Sequence, residues 1–303
     1  MSSTEVLGAR RPVVLRRAPS PWLAPWRFVR RYPLFPAIIW GAVIVFAIAS
    51  PLIAPADPFR QVLTDRLQPP AWSEGGSMKH VLGTDHLGRD VFSRIVYGSR
   101  VTVTVVLLTV TASAATGTFV GMLAGYFGGT VDALLMRAVD FQIALPALLF
   151  GVMLSSVLEP GLRNVVVIIV LFTWASFARL VRAEVLSLRE RDYVLLARAA
   201  GAGWVRIFVK HLFPGVLNTV MVLATLEVSV VIIFESSLSF LGLGIVPPTV
   251  SWGAMLAEGR EYMSVAWWLV TIPGLAIFSV ALAGNLFGDW LRDTLDPHLR
   301  RSA

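Results

Sequence analysis

Cysteine is absent from the 303 residues, and histidine occurs only four times. The first absence excludes a disulfide scaffold, a thiolate zinc site, an iron–sulfur cluster and cysteine redox chemistry. Four scattered histidines give no reason to expect a metal centre. Charge is also scarce, with Asp, Glu, Lys and Arg at 15% against 56% hydrophobic residues. At a mean hydropathy of +0.71, too few polar side chains remain to coat a soluble domain of this length. The chain therefore reads as an integral membrane protein. Missing too are the patterns Gly-x-x-x-x-Gly-Lys-Ser/Thr, Gly-x-Ser-x-Gly and His-Glu-x-x-His, so there is no P-loop for ATP, no nucleophile elbow and no zincin helix. The net charge of +7 is better explained by orientation in a bilayer and anionic headgroups than by nucleic acid.

Long uncharged runs are abundant. Leu34 to Ala54 is long enough, at about 1.5 Å per residue, to cross a hydrocarbon core of about 30 Å. Its long Pro/Arg-rich approach and the Ser50-Pro51 step argue against a cleaved signal peptide. Val101 to Val131 follows, opening on the β-branched VTVTVVLLTV. A lone strand would leave its amides unpaired in lipid, so a helix over 101–126 is expected. Phe141 to Leu158 carries Pro146, an expected kink, and Asn164 to Ala178 is flanked by Arg179 and Arg182, whose heads reach the surface. Leu212 to Val246 is interrupted only by Glu227 and Glu235, and Tyr262 to Gly288 has no charge.

Six spans put both termini on one side. Eighteen Lys/Arg fall on the side of the N-terminus and eight on the other, which places both termini in the cytoplasm by the positive-inside rule. The expected organisation is a tail over 1–33, a first span over 34–54 and an outside segment over 55–100. A five-helix core follows over 101–290 with a cytoplasmic segment at 183–214, then a tail over 291–303. The fold class is all-α, a six-helix membrane protein. The tail up to Arg31, with its Arg pairs, reads as disordered or surface-bound.

The cytoplasmic segment shows helix, small-residue break, helix. Beyond Glu190 and Asp192, the residues Tyr193, Leu196, Ala197 and Ala200 recur at i, i+3, i+4 and i+7, a narrow apolar face. Gly201-Ala202-Gly203 ends that helix, and a second from Trp204 to His211 is expected to stop at Pro214-Gly215. The alanine and glycine cluster has little bulk of its own and lets a partner come close.

The stretch from Asp192 to Pro214 resembles the cytoplasmic loop of binding-protein-dependent ABC importer permeases, whose pattern is Glu-Ala-Ala, three residues, Gly, nine residues, Ile, one residue, Leu-Pro. Gly201 and Pro214 hold that separation and Ala197 fills the second alanine; Leu195, Leu196, His211 and Phe213 depart from it. HVLGTDHLGRDVFSRIVYGSR at His80 to Arg100 and SSLSFLGLGIVPPTVSWGAML at Ser236 to Leu256 are similar to blocks of the dipeptide, oligopeptide and nickel branch, in its second-subunit type. The resemblance covers about residues 34 to 298. It implies the type I importer fold and a bacterial inner or plasma membrane location. It also implies a sister permease, an extracytoplasmic binding protein and two ATPases that carry the ATP and magnesium, this chain having no cofactor. It implies an ATPase-coupling role for Arg191, Asp192, Tyr193, Ala197, Arg198, Ala200, Gly201, Ala202 and Pro214. Short peptides are the expected cargo, with nickel or another small solute as the alternative.

The remaining candidates are polar residues in unusual places. Gly83-Thr84-Asp85 reads as a turn with Thr84 or Asp85 as a cap, before an amphipathic segment in which Leu87, Val91, Ile95 and Val96 lie on the membrane surface. Gly83, Asp85, Gly88, Arg89 and Asp90 are candidates for a gate or docking element, against a locally hydrogen-bonded cap. Arg89 and Asp90, being adjacent, point apart on a helix. Glu227 and Glu235 lie about 80° apart on one side of the fifth span. Charge there costs about 2.5–3.5 kcal/mol, so that side, with Ser239, is expected to face partner, pathway or a hydrogen bond within the bundle. Asp132, Arg137 and Asp140 read as interfacial charge, Pro247-Pro248 as the break of the fifth helix, and Trp267 with Trp268 as outer aromatic belt.

Two other classes remain to be weighed. A membrane enzyme needs converging groups, and His80 and His86 fall outside while His211 and His298 fall inside. A secondary transporter needs coupling carboxylates, for which only Glu227 and Glu235 offer support. The lack of native cysteine makes topology testable directly. A cysteine at Ser73 should react with an impermeant thiol reagent from outside and one at Ser187 only from inside; outside labelling of Ser187 removes its segment from the ATPase side.

Overall fold

A computed structural model describes residues 33–295; the tail expectations for 1–32 and 296–303 lie outside the described residues. Nine helices are found among those residues: α1 (Leu34–Ile53), α2 (Val91–Phe127), α3 (Gly129–Ala144), α4 (Ala147–Ser155), α5 (Leu162–Leu188), α6 (Asp192–Ala199), α7 (Trp204–Phe240), α8 (Trp252–Gly259) and α9 (Trp268–Leu295). Five are long and apolar enough to cross a membrane, and the α3–α4 pair makes a sixth if counted as one bent span. The break between α3 and α4 is 88°, far more than a kink. Leu145, directly before Pro146, is extended at φ −79° and ψ 131°, the conformation that a following proline imposes.

The bundle is organised about α2 and α5, which approach almost backbone to backbone. Gly117, Gly121 and Gly125 recur every fourth residue on α2 and line one face of the helix. A Cβ at Gly117 would collide with the Phe177 side chain and the Trp174 carbonyl, one at Gly121 would lie 2.6 Å from the Ala178 carbonyl, and one at Gly125 2.8 Å from Val185. Opposite them Phe177, Ala178, Val181 and Val185 are fully buried. One turn further along, Ser113 and Thr173 share a 2.6 Å hydroxyl–hydroxyl bond across the two helices. Small residues and hydroxyl bonds drive association where lipid removes the hydrophobic incentive.

Around this pair α1 lies against α2 and α9, and α7 fills the space between α2, α5 and α9. Ser229 of α7 donates to the Ala281 carbonyl at 2.6 Å, beside Gly284 of α9, whose missing side chain makes room for the Ser229 hydroxyl.

Several boundaries differ from those expected, and helix α3 starts at Gly129, twelve residues before Phe141. Helix α2 starts ten residues before Val101, so Val91 and Val96 are fully buried and Ile95 nearly so. They pack into the protein and do not lie on the membrane surface, because the preceding loop folds back over them. Helix α5 extends to Leu188, well past Ala178, as Arg182 and Arg189 find partners on neighbouring elements. Pro214 does not stop a helix. Residues Phe208–Leu212 widen into a π-turn, with the Phe213 amide bonded to the Phe208 carbonyl. That widening takes in the proline where a regular turn would clash with it, and α7 runs on. At the other end α7 stops at Leu241 with Gly242 at φ +77°, so a left-handed glycine ends the helix before the cis Pro247-Pro248 pair is reached.

If the glycine seam sets the α2–α5 distance, Gly121→Leu should lower the stability of the purified complex by about 1–3 kcal/mol or more, read as a fall in thermal midpoint. Gly274→Ala, whose nearest neighbour would be Leu256 Cδ2 at 3.9 Å, should leave the midpoint unchanged.

Candidate functional site

The candidate residues gather in two clusters at opposite ends of the bundle, with the glutamates between them. The first is built by the loop before α2 together with α8. Gly83 and Gly88 have φ of +80° and +73°, which only glycine adopts without strain. A side chain on Gly88 would also run into the Val62 carbonyl. The turn they define holds Asp85, whose Oδ1 accepts from the Leu87 and Arg89 amides at 2.8 and 2.9 Å. Its Oδ2 accepts from Arg89 Nε at 2.6 Å and from Arg94 Nη1. Glu258 of α8 closes the network, its Oε2 taking Arg89 Nη2 at 2.6 Å and Arg94 Nη1 at 2.8 Å.

Arg94 is only 3% exposed, so the two carboxylates are what make its burial tolerable. Burial alone would raise the Asp85 pKa, yet Arg94, Arg89 and the two amides hold it below the ordinary 3.8. His86, stacked on Tyr262 at 5.2 Å, is pushed below its usual 6.5 by desolvation, with the nearby carboxylates opposing. Asp85, His86 and Glu258 bring ligand-type atoms within 4.8 Å of one another, but both carboxylates are already neutralised by guanidinium groups, and this donor set has no charge left over for a cation.

The N-cap of α2 is Asp90, in place of Thr84 or Asp85. Its Oδ2 accepts from the Ser93 amide at 2.8 Å while Oδ1 pairs with His80 Nδ1 at 2.9 Å. Arg89 and Asp90 thus do point to different partners. Trp268 is buried, not part of an aromatic belt, and donates to the Thr84 carbonyl at 3.1 Å; Trp267 remains exposed. Two contributors escaped the sequence reading. Trp252 is buried on Gly98, with Nε1 donating to the Ile95 carbonyl at 2.9 Å. Glu258, the other, was visible only as a lone acid two residues beyond a recognised block.

Glu235 is 2% exposed and turned into this chain, not toward lipid or an open face. Ser239 Oγ donates to it at 2.8 Å and Ser236 Oγ lies at 3.3 Å; Ser239 Oγ in turn accepts from the Ile245 amide at 3.1 Å. The carboxylate and the Ser239 hydroxyl thus tie the end of α7 to the start of the loop that leads to α8. Glu227 is buried as well, with Oε2 lacking a partner among the described residues. Asp132 and Asp140 are more than interfacial charge, for they pair across to α5 with Arg182 at 2.5 and 2.6 Å and with Arg179 at 2.6 Å. Arg137 is exposed.

The second cluster is the α6 loop. Val194 faces inward onto Ile207, Phe208 and Leu212, while Arg191, Asp192, Tyr193, Arg198 and Ala200 are exposed and Ala197 and Ala202 are half-buried. Leu196 is 69% exposed, so the apolar face is presented outward. The helix ends in a Schellman motif, with the Gly201 amide bonded to the Arg198 carbonyl, the Ala202 amide to the Ala197 carbonyl, and Gly201 at φ +80°. Pro214 is exposed in the first turns of α7.

The all-helical bundle, with five or six helices long and apolar enough to cross a membrane, defines a multi-pass membrane protein. The chain belongs to the family of binding-protein-dependent transport system inner membrane components, which it matches over residues 117–301. It is 44% identical over 259 residues to the dipeptide transport system permease protein DppC of Haemophilus influenzae, covering 86% of this chain and 88% of that one. It is 41% identical to the nickel transport system permease protein NikC of Escherichia coli, over 86% and 92%. To the glutathione transport system permease protein GsiD of Pectobacterium atrosepticum it is 39% identical, over 93% and 92%. The protein is thus a multi-pass membrane permease of a binding-protein-dependent ABC importer and, as such, a non-catalytic subunit.

The Asp85–Glu258 network carries a pH and a mutational expectation. Because the Asp85 pKa is depressed on folding, its contribution is present above the ordinary value of 3.8 and lost as pH falls through the folded value; the network should survive at pH 5 and open only below about pH 4. Glu258→Gln should cost about 3 kcal/mol by leaving buried Arg94 short of a partner. Arg89→Gln in the same chain should recover part of that cost, as measured by thermal unfolding in a double-mutant cycle.

Proposed function

We propose that this permease forms, with a sister permease subunit, the pathway for short peptides, and that separate ATPases engage the α6–Gly201 surface. One observation supports the coupling reading above others: an exposed eight-residue helix, apolar outward and ended by a left-handed glycine. Such a face has no core to fill in this chain and suits a groove on a partner. The proposal puts both termini and the α6 loop in the cytoplasm, as the Lys/Arg bias favours. The Asp85–Glu258 end then faces the extracytoplasmic binding protein, with Gly83, Gly88, Arg89 and Asp90 shaping that rim and Glu227, Glu235 and Ser239 bracing the pathway beneath it. The chain has no P-loop, and ATP with magnesium is assigned to the partner ATPases; no cofactor is assigned to this chain.

Peptide cargo is supported by the identity to dipeptide permeases. Nickel import by the same architecture is a second reading, supported by the 41% identity to the nickel permease. Specificity is assigned largely to the binding protein, which meets the cargo first.

Uptake of a radiolabelled dipeptide into proteoliposomes holding the complete transporter should require ATP and ignore a proton or sodium gradient. A gradient-driven uptake would return the chain to the secondary transporters, and ATP-driven accumulation of nickel but not dipeptide would select the second reading. Gly201→Val, which places a β-branched residue at positive φ for a cost of about 1–2 kcal/mol, should abolish stimulation of ATP hydrolysis by loaded binding protein while all spans still insert. Unchanged stimulation in that variant would reject the coupling role.

A further inference from the structure

Helix α6 has a narrow hold on the rest of the bundle. Val194 is its one buried side chain, and it packs on Ile207, Phe208 and Leu212 at the start of α7, so α6 and those first turns form one small body. The aromatic and cationic contacts of that body reach the last turn of α2. Arg198 of α6 lays its guanidinium over the Tyr126 ring, with Cζ 5.2 Å from the centroid. Phe208 meets the same ring edge-on at 5.1 Å, and Trp204 lies 6.1 Å from Phe127. Just before α6, Arg189 Nη1 donates to the Gly125 carbonyl at 2.9 Å. Gly125 and Tyr126 stand at the end of a 37-residue helix, where carbonyls lack an intrahelical donor and the helix dipole is negative. Two arginines that bracket α6 in sequence thus grip neighbouring residues at the helix end where cations are favoured.

We propose that Tyr126 is a positioning residue for energy coupling: held between Arg198 and Phe208, with Arg189 on the adjoining carbonyl, it makes α6 move together with α2. The proposal rests on the reading that ATPases engage α6. Its reason is where a load on α6 would otherwise go. The connection over 200–203 contains Gly201 and Gly203, and a side chain at either would meet nothing within 4 Å, so that stretch can bend without disturbing packed neighbours. A displacement of α6 would be spent there unless the helix is fastened to something stiff. Tyr126 provides the fastening, since a cation over an aromatic face and an edge-on ring both fix orientation as well as distance. The element so gripped is the one that reaches the other cluster, where Asp90 caps α2 and Arg94 enters the Asp85–Glu258 network. Arg198 therefore acts inward, on α2, although it sits on the helix offered to the ATPases.

The test uses the intact transporter with all its subunits in proteoliposomes, reading ATP hydrolysis stimulated by loaded binding protein and solute taken up per ATP. Tyr126→Leu removes the ring and keeps an apolar side chain. Stimulation should fall about tenfold, the size of one cation–π contact and one edge-on aromatic pair together, and uptake per ATP should fall with it. That ratio is decisive, because a complex that is merely destabilised loses both rates together and keeps their ratio. Tyr126→Phe retains the ring and should match the wild type, while Arg189→Gln should lower stimulation as Tyr126→Leu does. Subunit stoichiometry reports assembly. If Tyr126→Leu does not assemble, spin labels at Phe119→Cys and Leu195→Cys in the otherwise unaltered chain decide the matter: their separation should be equal with and without trapped ATP, and a changed separation overturns the proposal. Wild-type stimulation in Tyr126→Leu also overturns it, as does a loss in Tyr126→Phe equal to that in Tyr126→Leu. If Leu196→Cys cross-links to no ATPase subunit, the docking reading fails and takes this inference with it; a cross-link together with unchanged stimulation in Tyr126→Leu removes this inference alone.

Discussion

The architecture rests on how closely two backbones can approach. In water, helices are brought together by the apolar area they remove from solvent; in a bilayer that gain disappears, because lipid tails are as apolar as leucine. What remains is dispersion between well-fitted surfaces and hydrogen bonds that lipid cannot offer. The glycines at 117, 121 and 125 provide the first by letting α5 settle directly on the α2 backbone, and the Ser113–Thr173 bond provides the second. Of the other spans, α1 and α7 pack on the flanks of α2 and the bent α3–α4 element on α2 and α5, while α9 is held by α7 and α1.

Because α2 is a single helix of 37 residues, it links the two functional ends. At the start, Asp90 caps it, Arg94 enters the Asp85–Glu258 network and Gly98 receives Trp252. At its far end the Gly125 carbonyl accepts from Arg189 at 2.9 Å and Tyr126 packs edge-on against Phe208 beneath the α6 loop. A tilt of α2 against α5 would therefore be felt at both clusters together. The seam makes such a tilt a rigid-body movement, for a backbone-to-backbone contact has no flexible side chains to absorb it.

The sequence made some of this legible and hid the rest for identifiable reasons. Runs such as 34–54 announce themselves because hydropathy is a sum and survives errors in detail. Gly201 was readable because its chemistry is local; a break after a periodic run needs positive φ, and glycine provides it. The start of α2 was hidden because Val91 to Val96 looks the same whether it lies on a membrane or under a loop. What decides between them is the fold of residues 55–90, which has no periodicity to read. Trp268 was misassigned and Glu258 missed for the same reason, their partners being Thr84, Arg89 and Arg94, far away in sequence. The seam itself was overlooked because β-branched VTVTVV dominates the helix, while three glycines at intervals of four say nothing until a partner is placed against them.

Charge is handled differently at each level of the molecule, and the differences follow the dielectric around it. At the Asp85 end, where the loop excludes water but not completely, two acids and two arginines neutralise one another with short bonds. Within the spans Glu235 finds no cation among the described residues and is met by hydroxyls from Ser236 and Ser239. These can turn to donate to a carboxylate or to accept from a protonated one. At the α6 end Asp132 and Asp140 pair with arginines of α5, whereas Arg206 and Lys210 meet no carboxylate among the described residues. Leaving a cation unmatched inside either of the other levels would be prohibitive; exposed, as these two side chains are, it costs little.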